Sequence, residues 1–348
     1  MMNGMACSRQ SRMGQCAVVA AALLTTLVAR SAYADENRIH INEYVAQTGF
    51  DFPDPAGPAD VLSNGRIIVL SGTTVFRETA SGSHTFASLG SLPDADFNEF
   101  GATFLQISPD GTHIAVGNNG GATFDHFQVG VFAFPALTGT WFDANSFLAA
   151  WINNRFVALT AGEFGSPAIV TALDTHSSDP AHPSNRTIIA NIGGASGGIA
   201  FDSHKNLFTG NGFATTGPSS TGTVKAFRHA DWRAAFTGTP LDFEADGTEI
   251  VTTLAAAPLQ FDRSNNLFVG GSNFFGGGDT NFAAFVSHAA VRSALQGNGP
   301  VDTGDPAQVR KVDPDPAANS SYDIIVNQVR DDVYLRSTGN HVYVFHAP

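Results

Sequence analysis

Cysteine is almost absent from this sequence of 348 residues, which contains only Cys7 and Cys16. The chain after residue 16 therefore has no disulfide, no thiolate metal site and no cysteine nucleophile. Its stability has to come from a packed core alone, without the covalent cross-links that many exported proteins use.

Basic residues are also scarce, because 18 Lys and Arg face 31 Asp and Glu, a formal net charge of −13. The lysines are Lys205, Lys225 and Lys311. A surface of this sign repels nucleic-acid phosphates and anionic lipid, so we expect neither nucleic acid nor a membrane surface as a partner.

Long apolar runs are missing as well, and none reaches the roughly 20 residues of a membrane-spanning helix. The run from Ala17 to Val28 follows Arg9 and Arg12 and precedes an A-x-A signal at residues 32–34. This order is typical of a secretory signal peptide. We predict a signal peptide over residues 1–34, cleaved after Ala34, and a secreted or periplasmic protein without membrane insertion. Residues 35–348 are then expected to form a single domain.

One segment of the sequence occurs twice. Residues 201–212 read FDSHKNLFTGNG and residues 261–271 read FDRSNNLFVGG, so that six residues recur with a shift of 60. Each copy is followed by an alanine-rich run, HADWRAAF at 229–236 and HAAVRSAL at 288–295, which favours a short helix. The repeat predicts a fold assembled from equivalent units of four strands, with short helices in the fourth and fifth units.

Other segments fit the same unit with shorter insertions, and Asn-Gly and Asp-Gly turns at 64–65 and 110–111 mark their hairpins. We predict an all-β, six-bladed β-propeller, with first strands near residues 60, 104, 147, 199, 258 and 322. Five or seven blades, or a β-sandwich with long loops, are the alternatives. The last unit has only three strands, and we expect residues 38–45 to supply the fourth and close the ring.

These hairpins support a family resemblance. SPDG at 108–111, GGIAFDSHKNLFTGNG at 197–212 and APLQFDRSNNLFVGGSN at 257–273 resemble hairpins of NHL, SMP-30/gluconolactonase and lactonase-like β-propellers. The chain also looks like exported bacterial propellers without an assigned function. The resemblance covers most of the predicted mature chain and implies the propeller architecture, which enzymes and non-enzymes share.

The longest loops are rich in glycine, asparagine and phenylalanine. In a four-stranded blade, the loop after the second strand and the loop leading into the first strand emerge on the same face, so these loops are expected to gather there. They occupy residues 117–127, 161–167, 210–222 and 270–282. The first functional hypothesis is that this face binds a small molecule, or an extracellular protein or carbohydrate, without catalysis, and that the protein is a monomer.

The second hypothesis is a calcium-dependent lactone or ester hydrolase. Most polar groups of the loops are hard oxygen donors, which favour Ca²⁺ over zinc or copper. Resemblance to gluconolactonase-like propellers implies a carboxylate and amides around an ion at the mouth of the channel. The candidate metal ligands are Glu99, Asn118, Glu163, Asn211, Asn273 and Asp279, and the candidate catalytic groups are Glu99, Glu163 and His126.

Overall fold

A computed structural model describes most of the chain after residue 37. The chain divides into two compact units, Met1–His40 and Ile41–Pro348, and the fold described below lies in the second. Within the described ranges, no helix is both long and apolar enough to cross a membrane. The described residues are 38–98, 101–121, 126–161, 167–193, 195–213, 221–272, 281–316, 322–337 and 339–348.

The described residues form 25 β-strands, which we number in chain order. They are β1 (Val45–Asp51), β2 (Ala56–Val61), β3 (Ile67–Ser71), β4 (Thr74–Glu78), β5 (Phe86–Ser91), β6 (Ala102–Ile107), β7 (His113–Gly120), β8 (His126–Ala133), β9 (Thr138–Asp143), β10 (Leu148–Trp151), β11 (Phe156–Ala161), β12 (Ala168–Asp174), β13 (Asn185–Ile192), β14 (Ala195–Phe201), β15 (Leu207–Phe213), β16 (Thr221–Phe227), β17 (Leu241–Asp242), β18 (Thr248–Phe261), β19 (Leu267–Ser272), β20 (Phe282–Val286), β21 (Val301–Asp302), β22 (Val309–Val312), β23 (Asp323–Asn327), β24 (Asp332–Arg336) and β25 (His341–His346).

These strands build six antiparallel blades in a ring. Blades 1 to 3 are β2–β5, β6–β9 and β10–β13. Strand β18 is long enough to serve twice, because its first half is the outer strand of blade 4 and its second half is the inner strand of blade 5. Blade 4 is completed by β14–β16, blade 5 by β19, β20 and β22, and blade 6 by β23–β25 and β1. The two-residue strands β17 and β21 add short parallel pairings to β13 and β18. The predicted six blades and their first strands are confirmed.

The ring is closed by the N-terminal part of the chain, but not by the residues we predicted. Strand β1 pairs with β25 from Val45 opposite His346 to Asp51 opposite His341. The prediction of residues 38–45 was therefore wrong by almost the whole strand. Ile41–Glu43 form a 3₁₀ turn, and Ile41 and Tyr44 are buried. The alternating pattern that we interpreted as a strand comes from Ile39 and Ile41, which are two residues apart and flank the polar His40.

Three short α-helices lie within the described ranges: α1 (His229–Ala235), α2 (Phe243–Asp246) and α3 (His288–Leu295). The two predicted helices, α1 and α3, are confirmed. The four-residue α2 was not predicted, and it begins where the Asp242 carboxylate accepts hydrogen bonds from the backbone N–H groups of Glu244 and Ala245. Such a cap satisfies N–H groups that a first helical turn otherwise leaves unpaired.

The repeated segment is a turn whose asparagine side chain binds the first residue of the following helix. The Asp202 carboxylate accepts hydrogen bonds from the backbone and side chain of Asn206, whose amide oxygen in turn accepts the backbone N–H of His229 at 3.0 Å. Asp262, Asn266 and His288 make the same contacts. The recurring Asp and Asn are thus explained by a shared local structure.

Apolar side chains fill the wedges between neighbouring blades. Between blades 5 and 6, Phe268 and Phe285 meet edge to face with centroids 4.7 Å apart, and Phe285 contacts Phe345. Tyr44 packs against both rings of blade 5. Comparable clusters join blades 1 to 5 and join blade 6 to blade 1. Burial of a large apolar side chain stabilises by about 1.5–3 kcal/mol, so these wedges carry much of the folding free energy.

The inner strands approach one another closely near the axis. A Cβ atom on Gly198 of blade 4 would lie 2.6 Å from the backbone nitrogen of Leu259 in blade 5. Between blades 1 and 2, the Asp60 carboxylate accepts the backbone N–H of Ile107 at 2.7 Å. The small size of Gly198 and the hydrogen bond from Ile107 to Asp60 therefore set the spacing of these inner strands.

Candidate functional site

The strand registers define a loop face, the end of the propeller where second strands finish and first strands begin. In blade 1, Ala56 pairs with Ser71 at this end, and Val61 pairs with Ile67 at the opposite end. The other blades share this direction, so the ends of the second strands and the starts of the first strands lie on one face. The geometry on which the site prediction depended is present.

Two of the predicted metal ligands lie on this face and use their amides within the protein. Asn118 is buried in β7, where its Nδ2 donates to Asp96 O at 2.9 Å and its Oδ1 accepts Gly121 N–H at 3.0 Å. Asn211 in β15 accepts Thr223 N–H on its Oδ1 at 2.7 Å. Both asparagines thus anchor the backbone of the loop face.

The remaining predicted site residues cannot be placed in this geometry. The side chain of His126, which begins β8, lies outside the described residues. Glu99, Glu163, Asn273 and Asp279 lie outside them entirely. Within the described ranges, no group of three or more His, Cys, Asp or Glu side chains is arranged to hold a metal ion.

A cavity of about 500 Å³ opens on the loop face where blade 1, the start of blade 2 and blade 6 meet. Its wall is largely backbone and small side chains, including Gly57, Gly72 and Gly101. Phe97 supplies an aromatic ring, which meets Trp141 edge to face with centroids 6.0 Å apart. The volume falls within the range of about 300–1,000 Å³ that is usual for small-molecule sites.

Three side chains give the cavity its polar character. Asp96 is exposed, and Asn98 is buried with its Nδ2 donating to Asn119 O at 2.7 Å. Arg336, at the end of β24, donates from Nη1 to the carbonyl oxygens of Ala56 and Gly339, and from Nη2 to the Asp323 carboxylate. Since Asp323 neutralises this guanidinium, Asp96 makes the wall slightly acidic.

Several buried polar atoms on the loop face have no hydrogen-bond partner among the described residues. They are Asn119 Oδ1 near the end of β7, Asn145 Oδ1 between blades 2 and 3, Thr253 Oγ1 in β18, and Arg336 Nε. A buried polar atom without a partner costs about 1–3 kcal/mol, so structures retain few of them. Four of the five such atoms among the described residues lie on this face, and the fifth, His84 Nδ1, lies at the opposite end of blade 1.

The sequence did not reveal most of this cavity. Phe97, Asn98 and Arg336 are all absent from the predicted site residues. Arg336 lies far from the glycine-rich loops, and it reaches the cavity only because the ring places blade 6 beside blade 1. The one feature of the sequence that could have drawn attention to Arg336 is Asp323, which lies opposite it across the hairpin of the last unit.

One inner-strand carboxylate also has an unusual environment. Asp60 accepts two backbone N–H groups, those of Val61 and Ile107, both at 2.7 Å. Burial nevertheless dominates, because it disfavours the charged form, and it raises the pKa of Asp60 to about 6. This carboxylate therefore changes charge in the mildly acidic range.

Known structures share the architecture of this chain. A chain from a crystal structure of a mitotic checkpoint complex has a TM-score of 0.50 and 12% identity, and the match covers 87% of this chain and 96% of that one. The holo form of a pyranose dehydrogenase PQQ domain from Coprinopsis cinerea has a TM-score of 0.58 and 11% identity, with coverage of 88% and 96%. Identities this low show the fold alone: the protein is a six-bladed β-propeller.

No family model matches this sequence, and no curated protein matches it either. The resemblance to NHL and gluconolactonase-like propellers stays a prediction.

Proposed function

We propose that this protein is an exported propeller that binds a small, hydroxyl-bearing ligand in the loop-face cavity and performs no catalysis. The observation that carries the proposal is the cavity itself, about 500 Å³ in volume, with a mixed wall of backbone, one ring and a few polar side chains. Sites of this composition hold a ligand by shape and fix its orientation with a small number of polar groups.

The charges of the wall favour a neutral polar ligand over an anion. The Arg336 guanidinium is already paired with Asp323, whereas the exposed Asp96 carboxylate would repel a negative ligand. The wall offers the Asp96 carboxylate as an acceptor and amide N–H groups as donors. Hydroxyl groups of a ligand can bind both, since they donate to a carboxylate and accept from an amide. A saccharide also presents C–H surfaces that pack against a ring such as Phe97, so a mono- or disaccharide is the ligand class we propose.

Calorimetric titration of the mature protein with a panel of mono- and disaccharides tests this proposal. Asp96→Ala removes a charged acceptor, so we expect the Kd of a bound sugar to rise about tenfold or more. The matched control is Asp143→Ala, an exposed carboxylate on β9 outside the cavity, which should leave the Kd unchanged. Saturable binding that is equally strong in Asp96→Ala would place the ligand elsewhere, and no binding by any sugar would reject the proposed ligand class.

A calcium-dependent lactone or ester hydrolase is the second candidate. The observation that favours it is Asn119 Oδ1, a buried hard donor without a partner among the described residues, next to the predicted ligand Asn118. Glu99, Asn118, Glu163, Asn211, Asn273 and Asp279 would hold the ion, which would polarise a carbonyl group.

Calcium titration of chelator-treated protein tests this second candidate. A bound ion raises the melting temperature by mass action on the folded state. An unchanged melting temperature, together with no calcium in elemental analysis, would reject it.

Export has its own test. N-terminal sequencing of the secreted product should begin at Asp35, because cleavage is predicted after Ala34. A mature chain that still begins at Met1 would remove this part of the proposal.

A further inference from the structure

A second cavity lies at the opposite end of the propeller, between the first hairpin turns of blades 4 and 5. Its volume is about 230 Å³. Phe261, Val291 and Leu295 give it an apolar floor, and His204, His288 and Arg292 also line it. It includes none of the residues of the loop-face cavity.

The internal repeat shows which side chain fills the equivalent place in blade 4. With the shift of 59 that relates α1 to α3, Trp232 corresponds to Val291 and Phe236 corresponds to Leu295. Trp232 is only 2% exposed, its ring lies 5.5 Å from that of Phe201, and its indole N–H donates to Lys205 O at 2.8 Å. Phe201 and Lys205 correspond to Phe261 and Asn265 in blade 5, and both of those residues line the cavity.

The cavity is therefore the space that an indole occupies in blade 4 and that a valine leaves open in blade 5. The two units also share the backbone of the turn at this point, since Lys205 and Asn265 both adopt the left-handed conformation, with φ of 64° and 59°. An apolar cavity of about 150 Å³ is large enough to bind benzene. A volume of about 230 Å³ accommodates a two-ring aromatic group.

The mouth of this cavity presents a positive charge. Arg292 is exposed and makes no ion pair with any residue in the described part of the chain. The Asp202 carboxylate also lines the cavity, but it is buried and accepts hydrogen bonds from Asn206 and from the backbone N–H of His204. The accessible charge is thus the guanidinium, which matches the geometry of a carboxylate.

We propose that this cavity binds a small aromatic carboxylate, such as an indole acid. The ring lies against Phe261 and Val291, where the repeat places the Trp232 side chain, and a ring N–H faces the Asn265 backbone oxygen as the Trp232 indole faces Lys205 O. The carboxylate of the ligand lies at the mouth beside Arg292.

Ligand-observed NMR and calorimetry with indole-3-acetate test this proposal, with indole and acetate as the two partial ligands. The wild-type protein should bind indole-3-acetate saturably, bind indole more weakly, and not bind acetate. Arg292→Gln should raise the Kd of indole-3-acetate about fivefold, because an exposed ion pair contributes modestly, and should leave the Kd of indole unchanged. The matched control is Arg233→Gln, the same position of the repeat in blade 4, which should change neither value.

Val291→Trp should abolish binding of both aromatic ligands by filling the cavity from within. If that variant does not fold, Arg292→Gln decides the question alone, because its side chain is exposed. Absence of saturable binding at millimolar indole-3-acetate would overturn the proposal. Equal effects of Arg292→Gln and Arg233→Gln, or undiminished binding by a folded Val291→Trp protein, would also overturn it.

Discussion

The hydrogen bond between Tyr44 and Asp262 ties the N-terminal segment to blade 5, and Tyr44→Phe removes it with little change of shape. The tyrosine hydroxyl donates to Asp262 Oδ2 at 2.7 Å, and the two residues are 1% and 5% exposed. Burial raises the pKa of the Asp262 carboxyl, and the hydrogen bond from Tyr44 is the largest of the interactions that lower it. Without the hydroxyl, a buried carboxylate loses a donor that water cannot replace.

We expect Tyr44→Phe to lower the free energy of unfolding by about 1.5–3 kcal/mol, the usual contribution of a hydrogen bond to a charged group. Urea denaturation followed by tryptophan fluorescence measures this loss as a lower midpoint with an unchanged m value. In an Asp262→Asn background, the same substitution should cost less, about 0.5–1.5 kcal/mol, because the remaining acceptor is a neutral amide.

A second readout separates ring closure from general stability. Tyr322→Phe is a suitable control, since the buried Tyr322 hydroxyl donates to Asp313 at 2.6 Å but does not touch the N-terminal segment. Hydrogen exchange of the β1 amides should accelerate in Tyr44→Phe and stay unchanged in Tyr322→Phe. A loss below about 0.5 kcal/mol, or equal exchange of β1 in both variants, would refute the reasoning.

Two further predictions concern the inner strands. The raised pKa of Asp60 means that the stability gained from its bound proton is fully present below about pH 4 and is lost as pH rises through about 6. The stability of Asp60→Asn relative to wild type should therefore increase across this window, by up to about 1.4 kcal/mol per pH unit, and parallel pH profiles in urea denaturation would contradict this. Gly198→Ala should destabilise by about 1–3 kcal/mol because its Cβ would meet Leu259 N at 2.6 Å. The control Gly193→Ala, where a Cβ meets nothing within 4 Å, should change the melting temperature little, and equal effects of the two substitutions would contradict the packing argument.

The sequence was sufficient to predict the parts of this fold that depend on local chemistry. The Asn64-Gly65 turn requires a positive φ, and Gly65 adopts 79°, so the hairpin could be read directly from the dipeptide. The repeated Asp and Asn of blades 4 and 5 likewise marked a turn followed by a helix. Since each blade is a local meander, such signals were enough to count the blades.

The parts that failed or were missed depend on distant contacts. The alternation of Ile39 and Ile41 with polar residues looks like a strand, and the sequence does not show that Tyr44, three residues on, packs against Phe268 and Phe285 of blade 5. The loop-face cavity combines Phe97 with Arg336, residues of opposite halves of the chain that only ring closure brings together. Asn118 stays a predicted metal ligand, but its hydrogen bonds to Asp96 O and Gly121 N–H could not be foreseen, because an amide that binds a cation and an amide that anchors backbone look the same in a sequence.

Pairing of the first strand with the last has a consequence for how the protein is made. A ribosome delivers β1 early, yet its partner strand β25 follows roughly 290 residues later, so the sixth blade cannot form until β25 has been made. The nascent polypeptide must carry an unpaired strand edge throughout that time, which is a known route to aggregation. The composition of β1 limits this risk of aggregation. Its first four residues, Val45 to Thr48, are exposed even in the finished ring, and they are mostly small or polar.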